Sequence, residues 1–210
     1  QNIKKNFDNE IEIILCGGAY GSPTLLMRSG IGDKDFLASR HIECLVDLKG
    51  VGENLQDHLD YITTHRVDDW ELLGSFFKSL KFTFRAPIEF IKLIFQRNGM
   101  FTSPLAEGGA FIKSSKDKEI PDIQLHFVVA MVEDHGRQDL WGNGFSCHMC
   151  LLRPESRGTV KIASKDPFED PLIDPNYLSV QSDIDTMVDG YKRMMEIMNT
   201  EPLSNYKNIR

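Results

Sequence analysis

The chain has 210 residues, 41% of them apolar and 26% charged, with a formal net charge of −7 and an isoelectric point near 5.4. That is the composition of a soluble globular chain, long enough for one good core or one and a half domains. It has no Lys/Arg-rich run of the kind that grips a phosphate backbone, which argues against a nucleic-acid partner. Its longest apolar runs, IEIILC and HFVVAMV, fall far short of the roughly 20 residues of a membrane span.

The first residues, KKNFDNE, have turn chemistry and read as the end of a hairpin. Glu10–Cys16 reads as a buried strand, because Ile11, Ile13, Ile14 and Leu15 form an aliphatic run bounded by glycines. Ser22-Pro23 has the pattern of a helix N-cap with proline at the first helical position. Leu25, Leu26 and Ser29 continue that helix and Gly30 ends it. A second short helix spans Asp33–Ser39 with Asp33 as cap, and Cys44–Val46 reads as a brief strand. Trp70–Gln96 has helical apolar spacing, with Pro87 dividing it into two helices. Strands follow at Gly109–Ile112, Asp122–Val132, Phe145–Arg153 and Gly158–Ala163, with PESRG joining the last two as a hairpin. Asp183–Asn199 is amphipathic: Ile184, Met187, Val188, Tyr191, Met194, Met195 and Met198 share one face. The order predicts an α+β fold, an antiparallel sheet with helices on one face.

Several motifs bear on chemistry. Gly30-x-Gly32, Gly50-x-Gly52 and Gly142-x-Gly144 each begin a dinucleotide motif, but its third glycine position holds Asp35, Leu55 or Cys147. GGAYGSP itself has two readings: a close-packed strand-to-helix turn, or a place where small residues let a ligand approach a helix N-terminus. Cys147-x-x-Cys150 lies in a strand pattern, where positions i and i+3 point to opposite faces, so the two thiols neither bind one metal nor pair. No metal site is expected. Four cysteines (Cys16, Cys44, Cys147, Cys150) are too sparse for a disulfide framework and fit a reducing compartment.

Along Asp122–Val132, alternation places Ile123, Leu125, Phe127, Val129 and Met131 on one apolar face, toward the helices. Gln124, His126, Val128 and Ala130 take the other, a mixed face suited to a pocket wall. Glu107 opens a strand beside two glycines, either as a buried carboxylate facing a ligand or as a plain turn cap. Asp57 and His58 are acid–base-capable, but adjacent residues do not face each other.

Gly18–Gly32, GAYGSPTLLMRSGIG, fits every position of a signature of the glucose–methanol–choline (GMC) flavin oxidoreductases: a small pair, Ser-Pro, two aliphatics, then Ser-Gly-aliphatic-Gly. Gly50–His58, GVGENLQDH, resembles a second segment of that family. Leu152–Pro167 and Pro171–Ser179 resemble its substrate domain. The resemblance covers essentially the whole chain and is greatest to the choline dehydrogenase and alcohol dehydrogenase branch.

The resemblance implies an enzyme in which a base takes the hydroxyl proton of a small alcohol, with choline one candidate, while hydride passes to the flavin of FAD. It implies that residues 1–58 are a remnant of the FAD-binding domain, with Gly18, Ala19, Ser22, Pro23, Asn54, Leu55, Asp57 and His58 near the cofactor. It implies that residues 59–210 form the substrate-binding domain, with Glu107, Gln124, His126 and Val128 facing the substrate. The family's glycine fingerprint and catalytic histidine have no match here, so no catalytic residue is assigned and His58, His126 and His148 are not given that role. With Gln1 rather than Met at its start, the chain reads as a fragment, expected neither to hold FAD nor to turn over alone. A cytoplasmic location is expected, with membrane association through the parent enzyme left open. The sequence sets no oligomeric state. The alternative reading is a free-standing, non-catalytic binding or scaffold domain of the same fold.

Overall fold

The computed structural model describes residues 12–67, 80–132 and 143–206. Contacts gather the chain into two compact units, Gln1–Asp57 with Ser156–Tyr177, and His58–Glu155 with Leu178–Arg210. Ser156–Tyr177 is therefore grouped in the first unit although it follows residue 58 in the chain.

In the first unit, helix α1 (Gly18–Arg28) begins five residues earlier than Ser22-Pro23 suggests, so Ser22 is not the N-cap and Pro23 lies inside the helix. Glycine is the reason. A Cβ on Gly17 would lie 2.9 Å from the Gly21 carbonyl carbon and the Ser22 nitrogen, and Gly18 has φ +70°, so only glycines admit this start. Ser22 Oγ instead accepts a bond from the Gly17 amide at 3.0 Å. Pro23 forfeits one helical bond, and the Thr24 hydroxyl donates to the Tyr20 and Gly21 carbonyls at 2.9 and 3.0 Å beside it. Gly30, with φ +83°, follows the helix end.

Strand β1 (Ile31–Gly32) pairs in parallel with β2 (Val46–Asp47), slightly later than the predicted Cys44–Val46. Helix α2 (Lys34–Ser39) is capped as predicted, Asp33 accepting from the Phe36 amide at 2.8 Å. Met27, Leu37, Val51 and Ile162 form this unit's core.

Two expectations fail here. Residues 12–17 form no strand, and Ile13 and Ile14 are 76% and 75% exposed. A strand exists by its ladder, and no described segment pairs with this one; Glu10, Ile11 and the KKNFDNE turn lie outside the described residues. Nor does PESRG join a hairpin. Strand β7 (Thr159–Lys161) pairs with β8 (Leu172–Asp174), while Gly158 bridges to Leu55 and the Val160 amide donates to the Gly52 carbonyl at 2.7 Å. A Cβ on Gly52 would sit 2.1 Å from the Val160 oxygen. Long-range pairing thus outweighs the local turn signal.

The second unit is built on a four-stranded antiparallel sheet. Its strands are β3 (Asp60–Arg66), β4 (Ala106–Ile112), β5 (Ile123–Val128) and β6 (Gly144–Leu151), in the spatial order β3-β6-β5-β4. β5 ends at Val128, short of the predicted Val132. Helix α4 (Gln181–Met198) packs on β5 and β6. The core consists of Ile123, Leu125, Cys147, Met149 and Leu151 from the sheet, with Met194 and Met198 from α4. The apolar face predicted for β5 at Ile123, Leu125 and Phe127 therefore does face the helix. Gly190 allows the close approach, since a Cβ there would lie 2.8 Å from Ile123 Cδ1 and Cγ1 and 3.2 Å from Met149 Sδ.

Helix α3 (Leu80–Gln96) is continuous through Pro87, not broken by it; residues 70–79 of the predicted helix lie outside the described residues. Pro87 lies near the middle of the 17 described helical residues and forfeits one amide bond there; two residues on, Glu89 ties the helix to the segment that follows it. Glu89, 2% exposed, accepts from Lys92 Nζ at 2.9 Å, the Met100 amide at 3.0 Å and Arg85 Nε at 3.3 Å. Gly99, at φ +97°, carries the chain past that carboxylate, where a Cβ would lie 2.6 Å from Oε2.

Candidate functional site

The sheet's second face is the one opposite α4, the open face below, although Ser146 on it is fully buried, and the strand register maps it directly. One row across the sheet reads Ile62 on β3, His148 on β6, His126 on β5 and Gly109 on β4. The next row reads Asp60, Cys150, Gln124 and Phe111, and the row on the other side reads Thr64, Ser146, Val128 and Ala106. Gln124, His126 and Val128 thus lie together on this face, with His148 beside His126.

Polar groups tie the face together. Asp60 Oδ2 and His148 Nδ1 are 2.7 Å apart, and Cys150 Sγ donates to Asp60 Oδ1 at 3.5 Å. Burial alone would raise the Asp60 carboxyl, but the His148 bond and charge, the Cys150 bond and the charge of His126 outweigh it and hold Asp60 below its ordinary 3.8. An ionised carboxylate can only accept, so His148 donates from Nδ1 and its ring is fixed in orientation. Along one edge, Thr64 Oγ1 donates to the Val132 carbonyl at 2.8 Å, and Ser146 Oγ accepts from the Val132 amide at 2.8 Å.

The thiols are inert in this setting. Burial, and then the Asp60 charge, push Cys147 and Cys150 up to about 12, so both stay protonated at neutral pH. Cys147 faces α4 and Cys150 faces the open side, the opposed geometry predicted for this CxxC. Among the described residues, no group of three or more His, Cys, Asp and Glu side chains could hold a metal ion.

Glu107 sits at a bulge, where the β4–β5 register shifts between Ala106 and Gly108, and its side chain is exposed. It is not the buried carboxylate considered from sequence, because the bulge turns it out of the ladder. A cleft of about 350 Å³ lies on the helix side, with apolar walls from Tyr61, Met149, Met187, Val188 and Tyr191.

In the first unit, Gly18 and Ala19 are exposed in the first turn of α1 and Ser22 and Pro23 are half-buried. The helix leaves its first amides without intrahelical partners. Asn54 has φ +62°, Leu55 is buried and bridged to Gly158, and Asp57 accepts a bond from the Tyr177 hydroxyl. Burial first, then the Asp57 bond and charge and the nearby Tyr20, push Tyr177 up to about 12. An exposed glycine turn with open amides fits a dinucleotide phosphate or ring edge approaching closely. His58 groups with the second unit, apart from Asp57.

Asp60 and His148 were not marked from sequence as a pair. Asp60 lies just past the NLQDH segment, and only the β3–β6 register brings it to a histidine 88 positions away.

Two family models, both described as GMC oxidoreductase, match residues 1–60 and 154–209. The chain belongs to the GMC oxidoreductases. Among similar proteins, an alcohol dehydrogenase [acceptor] of Pseudomonas putida is 41% identical over 90% of this chain and 35% of its own length. An oxygen-dependent choline dehydrogenase of Acinetobacter baumannii is 37% identical over 93% of this chain and 35% of its own. The chain thus spans about a third of the length of these relatives. A formate oxidase structure from Aspergillus oryzae RIB40 superposes with a TM-score of 0.78, at 25% identity over 93% of this chain and 38% of the other. The pyridoxine 4-oxidase of Mesorbium loti gives 0.69, at 25% identity over 93% and 34%. This GMC chain accordingly has the mixed helix and antiparallel-sheet architecture expected of it.

Proposed function

We propose that this chain forms the substrate-binding portion, and a part of the cofactor-binding portion, of an FAD-dependent enzyme that oxidises an alcohol to an aldehyde. The observation that carries the reading is the half-covered sheet: α4 packs on β5 and β6 on one face, and the other carries Gln124, His126 and His148 side by side. The membership in the GMC family and the alcohol and choline dehydrogenase relatives support the reaction class.

In this reading the segment to residue 58 serves the cofactor and the segment from residue 59 serves the substrate, with Ser156–Tyr177 packed onto the former. Gly18, Ala19, Ser22 and Pro23 would hold FAD at the open turn of α1, and Asn54, Leu55 and Asp57, with His58, would border it. FAD, when bound, supplies the acceptor for the hydride that leaves the carbinol carbon as the hydroxyl proton passes to a base. The residues of the open face bind and orient the alcohol; none of them is assigned as that base. Four unpaired cysteines fit a reducing compartment such as the cytoplasm. No described helix is long and apolar enough to cross a membrane.

The test uses the protein expressed from its complete reading frame, supplied with FAD. Alcohol-dependent reduction of a dye is expected, with a flavin absorbance band that follows the protein through purification. A flavin-loaded protein that reduces no dye with primary alcohols, diols or choline refutes the reading. The 210 residues alone lack a complete GxGxxG and are expected to purify colourless.

A further inference from the structure

Helix α3 is turned the opposite way from a helix that packs on a core. Phe84, Ile88, Ile91 and Phe95 recur at i, i+4, i+7 and i+11 and form one stripe. Arg85, Glu89, Lys92 and Gln96 recur at the same spacing and form another. A core-packing helix buries its apolar stripe. Here the polar stripe is the one held down: Glu89 is buried and bonded to the Met100 amide, and α3 lies against the short turn Met100–Thr102. The apolar stripe is exposed, Phe84 by 74%, Phe95 by 80%, and Ile88 and Ile91 by 56% each. Phe90 and Ile94, exposed as well, widen it along one side.

An apolar patch of this extent marks a surface that docks onto something. Charge identifies the partner. Between Leu80 and Arg97 the basic residues Lys81, Arg85, Lys92 and Arg97 stand against the single acid Glu89, in a chain whose net charge is −7. Arg85 and Lys92 both pair with Glu89, so two cations share one carboxylate and positive charge is left over beside the stripe. A stripe of Phe and Ile bordered by Arg and Lys suits a helix lying in the plane of a lipid surface, its apolar side among acyl chains and its cations at the phosphates. Lying and not crossing is the geometry that fits, since no described helix is long and apolar enough to cross a membrane. Helix α3 also falls between the two stretches matched by the family models, residues 1–60 and 154–209, so the family assignment does not account for its face.

We propose that α3 docks the protein, through Phe84, Ile88, Ile91 and Phe95, onto the surface of a bilayer that contains anionic phospholipid. Arg85, Lys92 and Arg97 meet the headgroup phosphates. The rest of the chain, acidic on balance, is repelled by the same surface, which orients the protein with α3 toward the lipid. The proposal does not depend on which reaction the protein catalyses.

The test mixes the protein expressed from its complete reading frame with vesicles of phosphatidylcholine, with or without phosphatidylglycerol, and sediments them. Cosedimentation is expected with the phosphatidylglycerol vesicles, far less with phosphatidylcholine alone, and less again when salt rises from about 0.1 M to about 0.5 M. Phe84→Glu and Phe95→Glu alter exposed side chains, so both should fold, and each should weaken binding by about tenfold or more. Phe95→Trp should bind like wild type, and its emission, after subtraction of the wild-type spectrum, should shift to the blue only on adding phosphatidylglycerol vesicles. No cosedimentation, equal binding to both kinds of vesicle, or binding untouched by both Glu variants would overturn the proposal. So would a Phe95→Trp emission already blue without vesicles, which means that protein covers the face. A dimer that Phe95→Glu splits, with no vesicle bound, would overturn it in favour of a second copy as the occupant.

Discussion

Replacing Gly190 by alanine tests the contact on which the second unit is built. At Gly190 α4 approaches the sheet closely, and the new methyl would lie 2.8 Å from two atoms of Ile123 and 3.2 Å from Met149 Sδ. In an exposed helix the change would stabilise by roughly 1 kcal/mol through propensity. Here Ile123 is 0% and Met149 1% exposed, so neither has free space to retreat into. Overpacking a core of this kind costs typically ~1–3 kcal/mol. The two effects oppose, and the net expectation is destabilisation by about 1 kcal/mol. For a chain of this size that lowers Tm by about 2–4 °C. Urea unfolding followed by far-UV circular dichroism should show a lower midpoint with an unchanged slope. Ile123→Val removes Cδ1, so the double variant should lose less than the sum of the two single changes. A Gly190→Ala protein more stable than wild type, or strict additivity with Ile123→Val, would refute the close packing of α4 on β5 and β6.

Two further outcomes follow from buried ionisable groups. Glu89 is held at about 2, below its ordinary 4.5, first by its bond from Lys92, then by the Met100 amide and Arg85, against the opposing effect of burial. A lowered folded-state value stabilises above 4.5, and the stabilisation is lost as pH falls toward 2. Arg85 and Lys92 are 44% and 41% exposed, so solvent screening reduces the effect to roughly 1–2 kcal/mol. Glu89→Gln should be destabilised at pH 7 and should approach wild type at about pH 2–3; parallel acid-unfolding curves would contradict the anchor. The thiols differ in accessibility as well as acidity. Iodoacetamide at about pH 8 should label exposed Cys16 readily and leave Cys147 untouched and Cys150 slow, as peptide mapping by mass spectrometry would show. Rapid labelling of Cys150 would mean that Asp60 does not lie against it.

The sequence alone determined the family, through GAYGSPTLLMRSGIG and GVGENLQDH, because a backbone that must turn this tightly accepts few residues. It also determined the alternation of β5, since Ile123, Leu125 and Phe127 have a core face only when Gln124, His126 and Val128 have the other. The Asp33 cap and the α4 face were legible because both are local: a side chain reaching three residues on, and a period of about 3.6. Tertiary structure alone decided the rest. The partner of β7 is β8 and not β6, although PESRG has the chemistry of a hairpin turn, because strand pairing is settled by distant neighbours. Pro87 and Pro23 lie within helices because a carboxylate anchor and a glycine-only turn outweigh one missing hydrogen bond. Asp60 meets His148 only through the β3–β6 register, and Gly109 comes opposite His126 only through the β4–β5 register. The candidate site is a set of rows across four strands, and a row has no signature along the chain.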